Sequence, residues 1–230
     1  MKDIIARMTV VFAVFLLSVE LLVPTLAYAS AGGGHGGDIV PAPINEQDIV
    51  SKQRGARLFV NYCYGCHSLK YLRYERLVED LRIPEELVKE NLMFVGEKTG
   101  EQMRNAMRPA SSKQWFGASP PDLTLEARLR GVDWLYSYLI SFYPDESRPW
   151  GVNNRVFKDV GMPHVLEGLQ VELGPEKFEA AMADLTNFLA YASEPTKQKR
   201  EHIGVFVLLF LAVLAVPAYF LNREYWKDVK

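Results

Sequence analysis

The sequence predicts a mostly α domain with long loops, followed by one C-terminal transmembrane helix. Three observations carry that expectation. Apolar residues recur at helical spacing in several stretches, and no run of alternating strand pattern appears. A 19-residue stretch, Ile203 to Leu221, holds no charged residue. Cys63-Tyr64-Gly65-Cys66-His67 stands at the end of one of the amphipathic helical stretches.

The first residues read as a secretory signal, 1–29. Lys2 and Arg7 give a positive start, Met8 to Val19 is apolar up to Glu20, and Ala27-Tyr28-Ala29 supplies a small-x-small cleavage pattern. An uncleaved N-terminal anchor is the other reading of this segment. Residues 30–44 form a Gly/Pro-rich segment expected to be flexible, and His35 within it is a solvated linker residue. The body of the chain, 45–202, is long enough for one domain. Its first helix is expected near Asn45, with Asp48 three residues on. Ala56, Phe59, Val60, Cys63 and Cys66 then share its buried face. Pro84 to Met107 is helical in pattern but charged. Gly131 to Tyr143 places Val132, Leu135, Tyr136, Leu139 and Tyr143 on one face. A last helix opens at Pro175, after Gly174, and buries Phe178, Met182, Leu185, Phe188 or Leu189, and Ala192. The long connection from Phe142 to Gly174 is expected to be packed, because Val165-Leu166 and its aromatics need cover.

The 203–221 run spans about 28 Å at 1.5 Å per residue, close to the hydrocarbon thickness of a bilayer. Tyr225 and Trp226 are interfacial anchors, and Pro217 is tolerated inside a membrane helix. Lys197, Lys199 and Arg200 precede the run, and Arg223, Lys227 and Lys230 follow it, so charge alone does not orient it. Export of the body places the tail, 222–230, in the cytoplasm. The chain carries a formal net charge of −2, and residues 30–202 hold 24 Asp/Glu against 21 Lys/Arg. This mild acidity argues against a nucleic-acid partner and is compatible with a basic protein partner.

Cys-x-x-Cys-His is the attachment sequence of a c-type haem. Two thiols one helical turn apart reach the two vinyl groups of one porphyrin, and the adjacent imidazole becomes an axial iron ligand. Cys63 and Cys66 are the only cysteines. A structural zinc site would need about four Cys/His ligands, and His35, His164 and His202 are scattered. A thioredoxin-like redox pair does not call for the adjacent histidine, and it would want a βαβ pattern that does not appear here. The cofactor expected is one covalently attached haem, its iron bound by His67.

The second axial ligand decides between electron transfer and chemistry at an open iron. Met93, Met103, Met107, Met162, Met182 and His164 are the candidates. Met182 lies on a core face, and three of the others fall in the charged helical region. Met162 is preferred, because Gly161-Met162-Pro163 holds a thioether in fixed loop geometry. His/Met ligation raises the reduction potential and closes the iron to substrate. Without it the chain would be a haem enzyme or gas sensor.

Four stretches together resemble cytochrome c1, the haem subunit of the ubiquinol–cytochrome c oxidoreductase (cytochrome bc complex, respiratory complex III), of bacterial type. They are Arg54-Gly55 through Cys63–Leu69 with Tyr71 and Tyr74; Pro120-Pro121-Asp122-Leu123-Thr124 with Ala127-Arg128-Leu129-Arg130; Gly161-Met162-Pro163; and Asn187–Tyr191 through Glu194-Pro195, a basic cluster and one transmembrane helix. The resemblance implies that Met162 is the sixth ligand and that Pro121 packs on the haem face. It also implies that Arg130 pairs with a haem propionate, with Arg128 as the rival. Trp134 stands where the family carries a tyrosine near the propionate, and Trp115 and Phe116 are candidates for the haem edge. By the same resemblance the chain is a membrane-anchored c-type cytochrome and no enzyme on its own. It relays single electrons from the Rieske iron–sulfur protein to a cytochrome c acceptor, soluble or membrane-bound, with its helix among lipid beside cytochrome b. The haem domain would lie on the periplasmic side of the bacterial inner membrane. A free-standing membrane-anchored carrier, or a subunit of another terminal complex, is the alternative. Glu167, Glu172, Glu176 and Glu179 are either a steering patch for a basic acceptor or a solvated helix face.

Overall fold

Two helices distant in sequence cross at a glycine, and the rest of the domain is arranged around that crossing. The computed structural model describes residues 39–228. The expected signal segment 1–29, the glycine-rich stretch with His35, and the last two residues lie outside them. Helix α1 (Ile49–Leu58) opens at Asp48, whose carboxylate accepts from Ser51 N at 3.0 Å. This is later than the expected start at Asn45. Asn45 instead closes a turn of its own, its side-chain oxygen accepting from Gln47 N at 3.0 Å. Helix α8 (Pro175–Ser193) begins at the expected proline and buries Phe178, Met182, Leu185, Phe188, Leu189 and Ala192.

At the crossing, a Cβ on Gly55 would stand 2.1 Å from the Asp184 carbonyl oxygen and 2.6 Å from Phe188 Cβ. Only a residue without a side chain lets the backbones approach so closely. Arg54 flanks the contact with two bonds to Asp184, at 2.5 and 2.7 Å. Asn187 Nδ2, buried in α8, donates to Asn45 O at 2.8 Å and to Ser51 Oγ at 3.0 Å. Tyr191 Oη donates to Asp80 Oδ2 at 2.6 Å. The Asn187–Tyr191 stretch is therefore polar where it ties α8 to the rest of the core: the Asn187 amide nitrogen and the Tyr191 hydroxyl find partners, while the Asn187 side-chain oxygen finds none among the described residues.

After α1 the chain continues as one π-helical turn, Phe59–Cys63, with Tyr64 N bonded to Phe59 O at 2.9 Å. Strand β1 (Leu69–Arg73) follows. It pairs antiparallel with β2 (Gln102–Met103), Leu69 opposite Met103. Between them lie short helices α2 (Glu75–Glu79) and α3 (Glu85–Asn91). The expected helical region Pro84–Met107 thus holds helix only over α3 and ends in a strand. After Leu92 the apolar residues Met93, Phe94 and Val95 are consecutive rather than at helical spacing, and Glu97 and Lys98 beyond them are exposed, so no apolar stripe is present to bury a longer helix. Helices α4 (Pro109–Phe116), α5 (Glu126–Arg130) and α6 (Val132–Ile140) complete the first half. The last ends before Tyr143, which belongs to β3 (Phe142–Pro144), paired with β4 (Val152–Asn154). The long connection 142–174 therefore contains a two-stranded hairpin and helix α7 (Glu167–Leu173), with Leu166 buried in the core. Both ribbons are absent from the periodicity reading because β2, β3 and β4, at two or three residues each, are too short to show alternation.

Within the segment expected to be flexible, Val40 and Ala42 are bonded to α6. Val40 N donates to Ser137 Oγ at 2.9 Å and Ala42 N to Asp133 Oδ1 at 2.8 Å. Helix α9 (Lys197–Tyr225) runs 29 residues, continuous through Pro217 and longer at both ends than the apolar run. Among the described residues it is the one helix long and apolar enough to cross a membrane, with a mean hydropathy of 2.6 over an 18-residue stretch. Its apolar side chains are exposed, as a helix solvated by lipid requires.

Candidate haem site

The π-helical turn positions the first half of the site. Its wider i→i+5 bond carries the chain into a tight turn in which Cys66 N and His67 N both donate to Cys63 O, at 3.0 and 2.8 Å. Single π turns inside helices recur at functional sites. Cys63 is buried and Cys66 half-buried, and both are free thiols. Burial pushes the Cys63 thiol up to about 12. Tyr64, between the cysteines, is buried too. Its phenol lies 2.6 Å from that of Tyr74 and donates to Arg104 O at 2.7 Å. The attachment turn is thus bolted to the core from within the motif. Among the described residues no group of three or more His, Cys, Asp or Glu side chains is arranged to hold a metal ion.

His67 is buried, and its Nδ1 lies 2.7 Å from the carbonyl oxygen of Pro121, 54 residues on in sequence. A carbonyl only accepts, so Nδ1 carries the proton and donates. Nε2 then keeps its lone pair, the tautomer in which an imidazole binds iron. Burial lowers the pKa of the ring despite the opposing pull of the Pro121 carbonyl and of Asp122. The imidazole is neutral at neutral pH.

The Pro120–Thr124 segment is held in place by its own polar residues. Asp122 Oδ2 accepts from Lys70 N at 2.8 Å, Asp122 Oδ1 from Thr124 Oγ1 at 2.6 Å, and Leu123 N donates to Ser68 O at 3.0 Å. The side chain of Pro121 is exposed, and its contact with His67 runs through the backbone. The resemblance implies that Pro121 packs on the haem face; beside that role its carbonyl sets the His67 tautomer.

From Thr124 the chain runs directly into α5 and α6. Gly131, at φ 92°, joins the two helices without a linker, a conformation that L side chains rarely adopt. The turn lays the Arg130 guanidinium over the Trp134 indole, 4.4 Å from its centroid. Arg130 Nε also meets Glu126 at 2.9 Å. Arg128 is spent elsewhere, 2.8 Å from Glu194. Trp134 is buried, and its Nε1 finds no hydrogen-bond partner among the described residues. A buried N–H without an acceptor is costly and marks a place for an acceptor group.

Trp134 stacks on Tyr138 at 5.2 Å and 10°. The Tyr138 phenol donates to Met162 Sδ at 3.4 Å. Tyr138 also meets the edge of Phe142 at 5.2 Å, and Phe142 stacks on His164 at 4.7 Å and 4°. His164 Nε2 is engaged by Gln170 at 2.8 Å. The tertiary structure therefore makes two groups of contacts, His67 with Pro121, and Arg130 with Trp134, Tyr138 and Met162, both carried by the stretch from Pro121 to Tyr138. Of the rival axial candidates, Met103 and Met182 are fully buried in the hydrophobic core. Trp115 and Phe116 pack edge to face with each other, and Phe116 meets Trp150. No contact among the described residues joins this group to His67 or Met162. Tyr138, Phe142 and Gln170 are participants that the sequence reading did not single out. Tyr138 shares a helical face with Trp134 four residues before it, and that spacing was the available signal.

The comparisons with known proteins agree with this arrangement. Residues 41–229 match the Cytochrome C1 family. The chain belongs to that family. It is 47% identical to a cytochrome c1 of Allochromatium vinosum, over 91% of this chain and 96% of that one. It is 40% identical to a protein of Nitrosomonas europaea named as an ammonia monooxygenase gamma subunit, over 94% of this chain and 97% of that one. It is 28% identical to the mitochondrial cytochrome c1 haem protein of Saccharomyces cerevisiae, over 82% of this chain and 70% of that one. As a cytochrome c1 family member the chain carries a covalently attached c-type haem. It is the membrane-anchored haem subunit of a bc1 complex and serves electron transfer there. The residues present fit such a group, since a neutral His67 with free Nε2, an unpartnered Trp134 N–H and a neighbouring guanidinium supply an axial donor and two donors for a carboxylate.

Proposed function

We propose that Cys63 and Cys66 hold the haem through thioethers and that His67 Nε2 and Met162 Sδ fill its two axial positions. When bound, the group supplies one-electron exchange at iron. The chain's own residues do the rest. The Pro121 carbonyl keeps the His67 proton on Nδ1 and orients the ring. The Arg130 guanidinium and Trp134 Nε1–H receive a propionate, whose burial needs charged and hydrogen-bonding partners. The buried ring stack of Trp134 and Tyr138 excludes water beside the Met162 loop. His67 and Met162 would together hold the iron and leave no open position for a substrate, so the site would serve electron transfer alone. The observation that supports this reading above the others is that one stretch of chain, Pro121 to Tyr138, carries both the carbonyl that accepts from His67 and the phenol that donates to Met162.

The finer assignments are supported by family membership and by the export signal read in the sequence. Electrons arrive one at a time from the Rieske iron–sulfur subunit and leave to a cytochrome c acceptor. Helix α9 packs beside cytochrome b, with the haem domain on the periplasmic side of the bacterial inner membrane, residues 1–29 removed as a signal peptide, and the tail in the cytoplasm. Glu167, Glu172, Glu176 and Glu179 are all exposed, and none makes an ion pair among the described residues. Unpaired carboxylates on one side of the domain suit a basic acceptor. Cytochrome b and an iron–sulfur subunit are expected to co-purify with the chain. Their absence would move the protein toward another terminal complex.

The test of the site is optical and low-temperature magnetic spectroscopy of wild type and Met162→Leu. Wild type shows a low-spin His/Met signature, and the variant loses it and binds carbon monoxide when reduced. A signature unchanged by the substitution overturns the Met162 assignment.

A further inference from the structure

Tyr138 has a hydroxyl that its packing does not require. The ring is already placed by the parallel stack on Trp134 and the edge contact with Phe142, and the backbone carbonyl of Tyr138 accepts from Asn154 Nδ2 at 2.8 Å. A phenylalanine would fill the same space. The one hydrogen bond that Oη makes among the described residues goes to Met162 Sδ, at 3.4 Å. A thioether is a weak acceptor, so a half-buried phenol aimed at one is an unusual pairing. The sulfur is held to it from a second direction. Phe142 follows Tyr138 by four residues and stacks on His164, two residues beyond Met162, while Gln170 fixes the far side of that imidazole. The approach of Oη to Sδ is therefore set by α6 and its continuation rather than by the loop alone.

We infer that Tyr138 is a positioning and tuning residue for the axial methionine. Its O–H donates to one lone pair of Met162 Sδ while the other lone pair remains for iron. The inference rests on the reading of Met162 as the sixth ligand. A hydrogen bond to the sulfur withdraws electron density from it, and groups beside an axial ligand set its donor strength. A poorer donor stabilises the ferric state less than the ferrous state, so the reduction potential rises. In the ferric protein the same bond weakens methionine against competing ligands.

The full-length, haem-loaded chain carries the test in three forms: wild type, Tyr138→Phe, and fluorotyrosine placed at position 138. The first variant deletes the donor. The second makes the phenol more acidic and the donor stronger, with the ring kept in both. Potentiometry is expected to read a lower potential for Tyr138→Phe and a higher one for fluorotyrosine. The methionine-to-iron charge-transfer band moves in opposite directions in the two proteins. Displacement of methionine by cyanide in the oxidised state is several-fold slower in Tyr138→Phe. A merely structural role would not give opposite signs. Potentials and bands unchanged in both variants, with a methionine signature intact, overturn the tuning role and leave Met162 as ligand. A wild-type spectrum without methionine ligation overturns the Met162 reading and this inference with it.

Discussion

The His67 side of the site is built into the core, whereas the Met162 side is held by a loop resting on aromatic rings. On the first side, the attachment turn continues a helix that crosses α8 at Gly55. Tyr64 is pinned by two hydrogen bonds, and the partner carbonyl of His67 sits in a segment fixed by Asp122. On the second side, Met162 is half-buried and meets one O–H donor, and its neighbour His164 leans on a single ring. Packed cores resist displacement by even one methylene, while loops carry functional groups with fewer constraints. The arrangement lets one ligand be permanent and the other be adjusted by its surroundings without loss of the fold.

The largest expected effect breaks the first side. Gly55→Ala puts a methyl group on the Asp184 carbonyl and should cost about 3 kcal/mol or more, because neither backbone can retreat. Thermal melts and the yield of haem-loaded protein read this, and a melt close to wild type would mean that the helices slide freely. Met162→Leu should do the reverse. It changes the spectrum completely while shifting the melt little, since the thioether contributes few core contacts. If the two variants were equally unstable, the contrast between the sides would be lost.

Arg130→Leu comes next. It should lower haem retention and shift the potential, whereas Arg128→Leu should leave both unchanged, because Arg128 points to Glu194. Equal effects from the two arginines would sever Arg130 from the propionate. The smallest effect lies at the junction of α8 and α9. Arg200 and Arg128 hold the Glu194 carboxyl below the usual carboxylate range. A depressed folded pKa means that the charged pairing is complete at neutral pH and is lost only as pH falls through that lowered value. Both arginines are largely exposed, so the pairing is worth at most about 1 kcal/mol. Melts of Glu194→Gln and wild type should differ at neutral pH and converge in acid, and curves parallel at all pH values would rule the pairing out.

Much of this was legible in the chain. The α8 face from Phe178 to Ala192, the position of α9 and the attachment motif all depend on spacing within a few residues, which a sequence displays directly. The start of α1 was read at Asn45 with Asp48 three residues on, whereas Asp48 is the cap and the Asn45 carbonyl is bonded to Asn187 instead, a partner 142 residues away. The charged region after Pro84 read as one helix because charge spacing there imitates helical periodicity, and only the pairing of Gln102–Met103 with β1 shows otherwise.

By itself the sequence determined the cofactor chemistry, the membrane anchor and the helical character, since each is written in local spacing. The tertiary structure alone decided that the Pro121 carbonyl sets the His67 tautomer, that Arg130 rather than Arg128 lies on Trp134, and that a tyrosine reaches the Met162 sulfur. Each of these joins groups far apart in the chain through single atoms. Periodicity carries no information about such pairings, because they exist only once the helices have packed.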